Sequence, residues 1–192
     1  MPEASVTSRA STSSAAALVA DWRRSASIVN LRVDPAEATF RDRVRNAIGV
    51  EIPNACRSSV SGATRVVWAG PDDFFVIGAP GAAATVEAKL RAALAGTHHA
   101  VTDVSGGYAV LRLGGPPVLD VLAHGCPLDL HPRVFDPGAC AGSHFFKASV
   151  WLWKTGDAPE FELLVRRSFI GYVGLMLERC TAECGLATIA ST

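Results

Sequence analysis

The sequence predicts an α+β fold in which two β-α-β-β-α-β halves form one compact domain. Three observations carry this. The runs 66–69 and 74–77 are rich in β-branched and aromatic residues, which suit a pleated, half-buried surface. They flank Gly70-Pro71-Asp72, where Pro71 presets φ for a turn and the Asp72 side chain caps it, so 64–78 reads as a hairpin. On either side, Phe40, Val44, Ala47 and Ile48, then Val86, Leu90, Ala93 and Leu94, recur at the spacing of one helix face. The same order of elements then begins again after Gly106-Gly107.

Taken in order, residues 1–27 are dominated by Ser, Thr and Ala and read as an N-terminal arm outside the domain. Its first part is expected to be disordered, and 15–24 to form a helical turn or two, too short to hold alone in water. A strand follows at 28–33. Asp34 is the expected N-cap and Pro35 the first helical residue of the next helix, and Gly49 its stop. Residues 52–63 read as a connector into the hairpin. After the second helix, stopped by Gly96, a strand at 101–105 closes the first half, 28–105.

The second half, 107–190, opens with a strand at 108–113 and a short helix at 118–123. A loop at 125–142 follows. Strands at 145–153 and 161–165 are joined around Gly156-Asp157, Ser168 caps a long helix, and 186–190 is the last strand. Each half thus has the order of a ferredoxin-like unit. Trp151 and Trp153 share one face of their strand, and Ala148, Val150 and Leu152 the other. Both faces are apolar, so helices cover both or one meets another chain, and a covered patch is expected to leave the chain poorly soluble alone.

The chain has 192 residues, enough for one domain or for two similar halves. With 49% hydrophobic residues it can bury a sizeable core. Lys plus Arg and Asp plus Glu are both 18, so charge gives no reason to invoke nucleic acid or an anionic membrane, and it opposes assembly with other chains little. Five scattered cysteines read as reduced, mostly buried thiols of a cytoplasmic protein. The apolar run 15–20 is shorter than the ~7–15 residues of a secretory core, and nothing approaches the ~18–20 of a spanning helix.

No motif for chemistry emerges: no catalytic, cofactor-binding or metal-binding residue is assigned. Cys180 and Cys184 lie one turn apart, but on the apolar stripe of the last helix, and a metal would need two further ligands. His124-Gly125-Cys126 lacks an orienting carboxylate and an oxyanion loop. His98-His99 suits a helix end. In Gly114-Gly115-Pro116-Pro117 the prolines remove the N–H groups a phosphate cradle requires. Arg166-Arg167 at a helix start is mildly unfavourable, which favours a specific partner for at least one of the two.

The run Val67-Trp68-Ala69-Gly70-Pro71-Asp72-Asp73-Phe74-Phe75 resembles the Trp-Leu-Gly-Pro-Asp-Glu-Trp-Leu signature of the gamma subunits of heterotetrameric sarcosine oxidases. Asn30-Leu31-Arg32, Thr102-Asp103-Val104-Ser105, Cys126-Pro127-Leu128-Asp129-Leu130-His131-Pro132, Phe135-Asp136-Pro137-Gly138 and Val165-Arg166-Arg167-Ser168-Phe169 follow in the family's order, over about 28–185. Ala69 stands for Leu, and Asp73-Phe74 for Glu-Trp. The resemblance implies a fold similar to the folate-binding domains of glycine-cleavage aminomethyltransferase. It further implies a non-catalytic assembly subunit, with alpha, beta and delta subunits as partners and FAD, FMN, NAD and tetrahydrofolate held by those partners. The assembly demethylates sarcosine to glycine, passes the carbon to tetrahydrofolate and reduces oxygen to peroxide. Two other readings stay open: the same subunit in a dehydrogenase of another N-methyl amino acid, and a stand-alone folate-binding or aminomethyltransferase-like protein using Asp103, Asp72 or Asp73.

Overall fold

The computed structural model describes residues 17–34 and 39–184. They fold as a mixed α/β protein with two antiparallel sheets. The strands are β1 (Val19–Arg23), β2 (Ser27–Val33), β3 (Ser58–Ser61), β4 (Thr64–Gly70), β5 (Asp73–Gly78), β6 (His99–Asp103), β7 (Tyr108–Gly114), β8 (Cys140–Phe145), β9 (Ala148–Lys154) and β10 (Glu160–Arg166). The helices are α1 (Phe40–Ile48), α2 (Ala83–Ala93), α3 (Val118–Ala123) and α4 (Ile170–Glu183). One sheet runs β3-β4-β5-β2-β6 and the other β8-β9-β10-β7-β1.

The packing has four layers, because each sheet is apolar on both faces. Phe40 and Val44 of α1 and Leu90 of α2 pack with Leu31, Phe74 and Val76 on the outer face of the first sheet. Val121 of α3 and Val173 and Leu177 of α4 do the same with Leu111, Leu152 and Leu163 on the second. The inner faces meet each other through Ile28, Val67, Phe75 and Ile77 against Val110, Trp153 and Leu164. Phe75 stands edge-on to Trp151 and Tyr108, at 4.9 and 5.5 Å. Full burial of one such side chain contributes roughly 1.5–3 kcal/mol. The second apolar face of the Trp151–Trp153 strand is therefore covered by the other sheet of the same chain. That removes the reason to expect a large partner-covered patch.

Several expectations need correction. Residues 19–23, expected as arm or helix, form β1, which pairs with β7 from Val19↔Gly114 to Arg23↔Val110. Leu18 is fully buried and Trp22 packs on the core; the pairing, not the weak local propensity, sets the conformation. β7 thus has β1 on one side and β10 on the other. The strand expected at 186–190 lies outside the described residues.

The expected connector contains β3. The expected loop at 125–142 runs into a strand, β8, and the expected strand at 145–153 holds the turn at Phe146, whose φ of 51° is left-handed, followed by β9. The N-cap of α1 is Thr39 rather than Asp34, and Pro35 lies outside the described residues. Arg167–Phe169 form a 3₁₀ turn ahead of α4, so Ser168 is no cap. The hairpin of β4 and β5, the left-handed Gly49 after α1 and the bounds of α3 are as read from the sequence.

Candidate functional site

The polar side chains that drew notice in the sequence are engaged in the fold. The β4–β5 turn places Asp72 beside Arg32 of β2, which donates to both carboxylate oxygens at 2.9 and 2.7 Å. The guanidinium holds the Asp72 carboxyl below the usual range. Asp73 accepts from Asn30 Nδ2 at 2.6 Å. Asp103 accepts from the Ser105 hydroxyl and backbone N–H at 2.5 and 2.9 Å, and these bonds depress its pKa. Ser105 Oγ also accepts from the Ile28 N–H at 2.9 Å, tying the end of β6 to β2. Asp103 pairs in register with Val29, and Asp73 with Arg32, on opposite sides of β2. The structure does not converge these carboxylates on one cavity. Arg32, Asp72, His98 and His99 line an open cleft of about 350 Å³.

His124 and Cys126 do not pair. His124 Nδ1 contacts the Asp120 carbonyl at 2.7 Å, while Cys126 Sγ lies 3.9 Å from Ser143 Oγ. Cys180 is buried on the core side of α4, and burial raises its thiol pKa. His99 Nδ1 meets the Thr97 carbonyl at 3.0 Å. Gly115 has φ +103°, and a Cβ there would stand 2.4 Å from the Ala17 carbonyl; the glycine-rich turn lets the N-terminal segment pass. The Arg166 guanidinium lies 5.5 Å from the centre of the Tyr108 ring. Arg167 donates to the carbonyls of Gly106 and Arg24 at 3.0 and 2.7 Å. The specific partner expected for this arginine pair is thus backbone of the same chain. Among the described residues no cluster of three or more His, Cys, Asp or Glu could hold a metal, and no helix is long and apolar enough to cross a membrane.

The densest polar arrangement joins the two sheets, and the sequence reading missed it. Glu162 of β10, 8% exposed, accepts from Trp153 Nε1 at 2.9 Å and Arg23 Nη2 at 2.6 Å, with Arg65 Nε of β4 at 3.7 Å. Side chains from β1, β4 and the neighbouring β9 thus meet on one carboxylate. Burial lowers the Arg65 pKa, opposed by the Glu162 charge. The only local hint was one acid inside the apolar run of β10.

On the β8 side of Trp153, Arg57 and Ala139 form an isolated antiparallel bridge. It is flanked by Ser58 N–H to Gly138 O at 2.7 Å and Cys140 N–H to Cys56 O at 2.9 Å. Arg57 donates to Asp136 at 2.5 Å and to the Pro137 carbonyl at 2.8 Å. Cys140 Sγ contacts the Arg57 carbonyl at 3.1 Å, and burial pushes its pKa up to about 12.

Comparison of the fold gives the class first. A chain of the heterotetrameric sarcosine oxidase from Corynebacterium sp. U-96, solved with pyrrole 2-carboxylate, matches with a TM-score of 0.79 and 29% identity, over 90% of this chain and 88% of that one. The glycine cleavage system aminomethyltransferase T from Bartonella henselae shares the fold, with a TM-score of 0.61 and 15% identity, over 85% of this chain and 46% of that one. The chain is thus of the class built on an aminomethyltransferase-type fold and found in a multisubunit oxidoreductase. More particularly, it belongs to the sarcosine oxidase, gamma subunit family, whose model matches residues 32–183. The sarcosine oxidase subunit gamma of Corynebacterium sp. (strain P-1) is 36% identical over 144 residues, 73% of this chain and 68% of that protein. That of Corynebacterium sp. (strain U-96) is 35% identical over 165 residues, 84% of this chain and 78% of that protein.

Proposed function

We propose that this gamma subunit acts as a non-catalytic assembly subunit of a cytoplasmic heterotetrameric sarcosine oxidase. The observation that supports this reading is how its polar groups are used. Asp72, Asp73, Asp103, Arg167 and Glu162 are bonded within the fold, at turns and between sheets. Asp72 alone of them lines the cleft with His98 and His99, and there it is bonded to Arg32 rather than free for the proton transfer to a substrate that catalysis would require. Catalysis then belongs to the alpha, beta and delta subunits. These carry FAD, FMN, NAD and tetrahydrofolate, and the assembly converts sarcosine to glycine with oxygen as oxidant. The domain that the sequence places at 28–190 takes in β1 as well, and we read each half as a ferredoxin-like unit. In both sheets the central strands follow the order β4-β5-β2 or β9-β10-β7, with one strand added beside β2 or β7.

The test is a tagged pull-down of the full chain after coexpression with its neighbouring genes, followed by an absorbance spectrum. The expected eluate is yellow, with flavin bands and larger partner chains. A colourless single chain that takes up tetrahydrofolate in calorimetry would overturn the reading.

A further inference from the structure

Cys56 and Cys140 stand opposite each other on the bridge between the segments that lead into β3 and β8. The Cys140 N–H donates to the Cys56 carbonyl at 2.9 Å, and the Ser58 N–H to the Gly138 carbonyl at 2.7 Å. With Arg57 opposite Ala139, this antiparallel register puts Cys56 directly across from Cys140. Directly opposite residues on such a ladder have Cα atoms about 4.5–5.5 Å apart, inside the roughly 4.4–6.8 Å that a disulfide spans. The Cys140 sulfur is turned towards the chain that leaves Cys56, 3.1 Å from the Arg57 carbonyl. Both thiols are free.

Their surroundings give them different roles. Cys56 is exposed and holds the third place of a turn, closed by the Arg57 N–H on the Asn54 carbonyl at 3.1 Å. Its φ is 59°, a conformation that favours glycine or asparagine at that place. Cys140 is 1% exposed, and its S–H faces the Arg57 and Trp68 carbonyls at 3.1 and 3.5 Å. Burial pushes its pKa up, and the charge of Cys56 adds to that, so the two sulfurs lie within each other's electrostatic reach. The open thiol is the one that meets an oxidant, and the buried one is placed to resolve it.

We propose that Cys56 and Cys140 form a dithiol that a hydroperoxide oxidises to a disulfide, tying the two sheets together. The Cys56 thiolate attacks one peroxide oxygen and the O–O bond breaks. Cys56 becomes a sulfenic acid, and the other oxygen, reduced, leaves as hydroxide or alkoxide and is protonated by solvent. The Cys140 sulfur then displaces the sulfenic hydroxyl: the S–S bond forms, and the hydroxyl leaves with the Cys140 proton as water. The new bond closes a loop that runs from β3 through α3, and long closed loops restrict the unfolded chain most.

The test treats the full chain with excess hydrogen peroxide and reads intact mass and peptide maps before and after dithiothreitol. The expected result is loss of two hydrogens, a Cys56 peptide joined to a Cys140 peptide, reversal by dithiothreitol, and a higher urea midpoint in the oxidised chain. Cys56→Ser, in an exposed turn, should abolish the crosslink, and Cys140→Ala should leave Cys56 to gain oxygen instead. The inference is overturned if wild-type Cys56 only gains oxygen, stays unmodified or joins a second chain. The same loss of two hydrogens in Cys56→Ser also overturns it. If Cys140→Ala does not fold, the wild-type map and Cys56→Ser still decide.

Discussion

β2 and β7 occupy corresponding places in their sheets, yet their outer neighbours come from opposite directions along the chain. The place beside β2 is taken by β6, which follows in the same half. The place beside β7 is taken by β1, from before the first half. Both added strands are antiparallel, so the sheets look alike although the chain reaches them differently. The covalent halves are therefore not the structural halves: the first sheet lies, in sequence, inside the second. Phe75 and Glu162 extend the contrast. Each sits on the corresponding strand, Phe75 between Asn30 and Val67, and Glu162 between Arg112 and Trp153. One sheet contributes an aromatic ring to the seam and the other a carboxylate that holds β1.

Removing residues 1–24 is expected to have the largest effect. It strips Leu18, Ala20 and Trp22 from the core and leaves an edge of β7 bare, at a cost of about 5 kcal/mol or more. Loss of a cooperative urea transition would support β1 as an integral strand; an unchanged midpoint would make it an accessory. Gly115→Ala should cost about 3 kcal/mol, from strain at positive φ and collision with Ala17. Gly49→Ala, at φ 73° with open space around it, should cost about 1 kcal/mol. Equal midpoint shifts in the two variants would mean that the passage of the N-terminal segment is not tight.

Glu162→Gln should cost about 3 kcal/mol, since it leaves Arg23 and the partly buried Arg65 without their anion. Glu160→Gln, which removes the outer Arg112–Glu160 pair, should cost about 0.5 kcal/mol. Chemical denaturation of both variants measures the ratio. The smallest effect concerns acid. Asp72, Asp103, Asp136 and Glu160 have folded pKa values below their usual ones. Their contribution is complete above the unfolded value of about 4 and is lost as pH falls through the lower folded values. The urea midpoint should stay flat down to about pH 5 and fall below about pH 4, less steeply in Asp72→Asn.

The parts of the fold legible in the sequence are those whose residues name their own surroundings. Pro71-Asp72 between two apolar runs specifies a hairpin, and Phe40-Val44 followed by Gly49 specifies a helix and its end. β3 was hidden because Ser58-Ser59-Val60-Ser61 is an edge strand with no buried residue and no alternation. The turn at Phe146 was hidden because a phenylalanine rarely takes a left-handed φ. β1 was hidden because its strand state comes from β7, far along the chain. The singled-out carboxylates could be named from sequence, but their partners could not. Asn30–Asp73 and Arg32–Asp72 depend on strand register, and Glu162 gathers donors from three strands.

The Arg23–Glu162 contact spans 139 residues. At roughly 5–20 residues per second, synthesis of that interval takes on the order of ten seconds. Through that time β1 has been made but the acid that holds it has not, and for the first part of it β7 is also incomplete. A nascent chain thus carries a short sticky strand ahead of an otherwise self-contained first sheet. Slowing translation between β6 and β10 would lengthen the interval in which that strand can pair with another nascent chain.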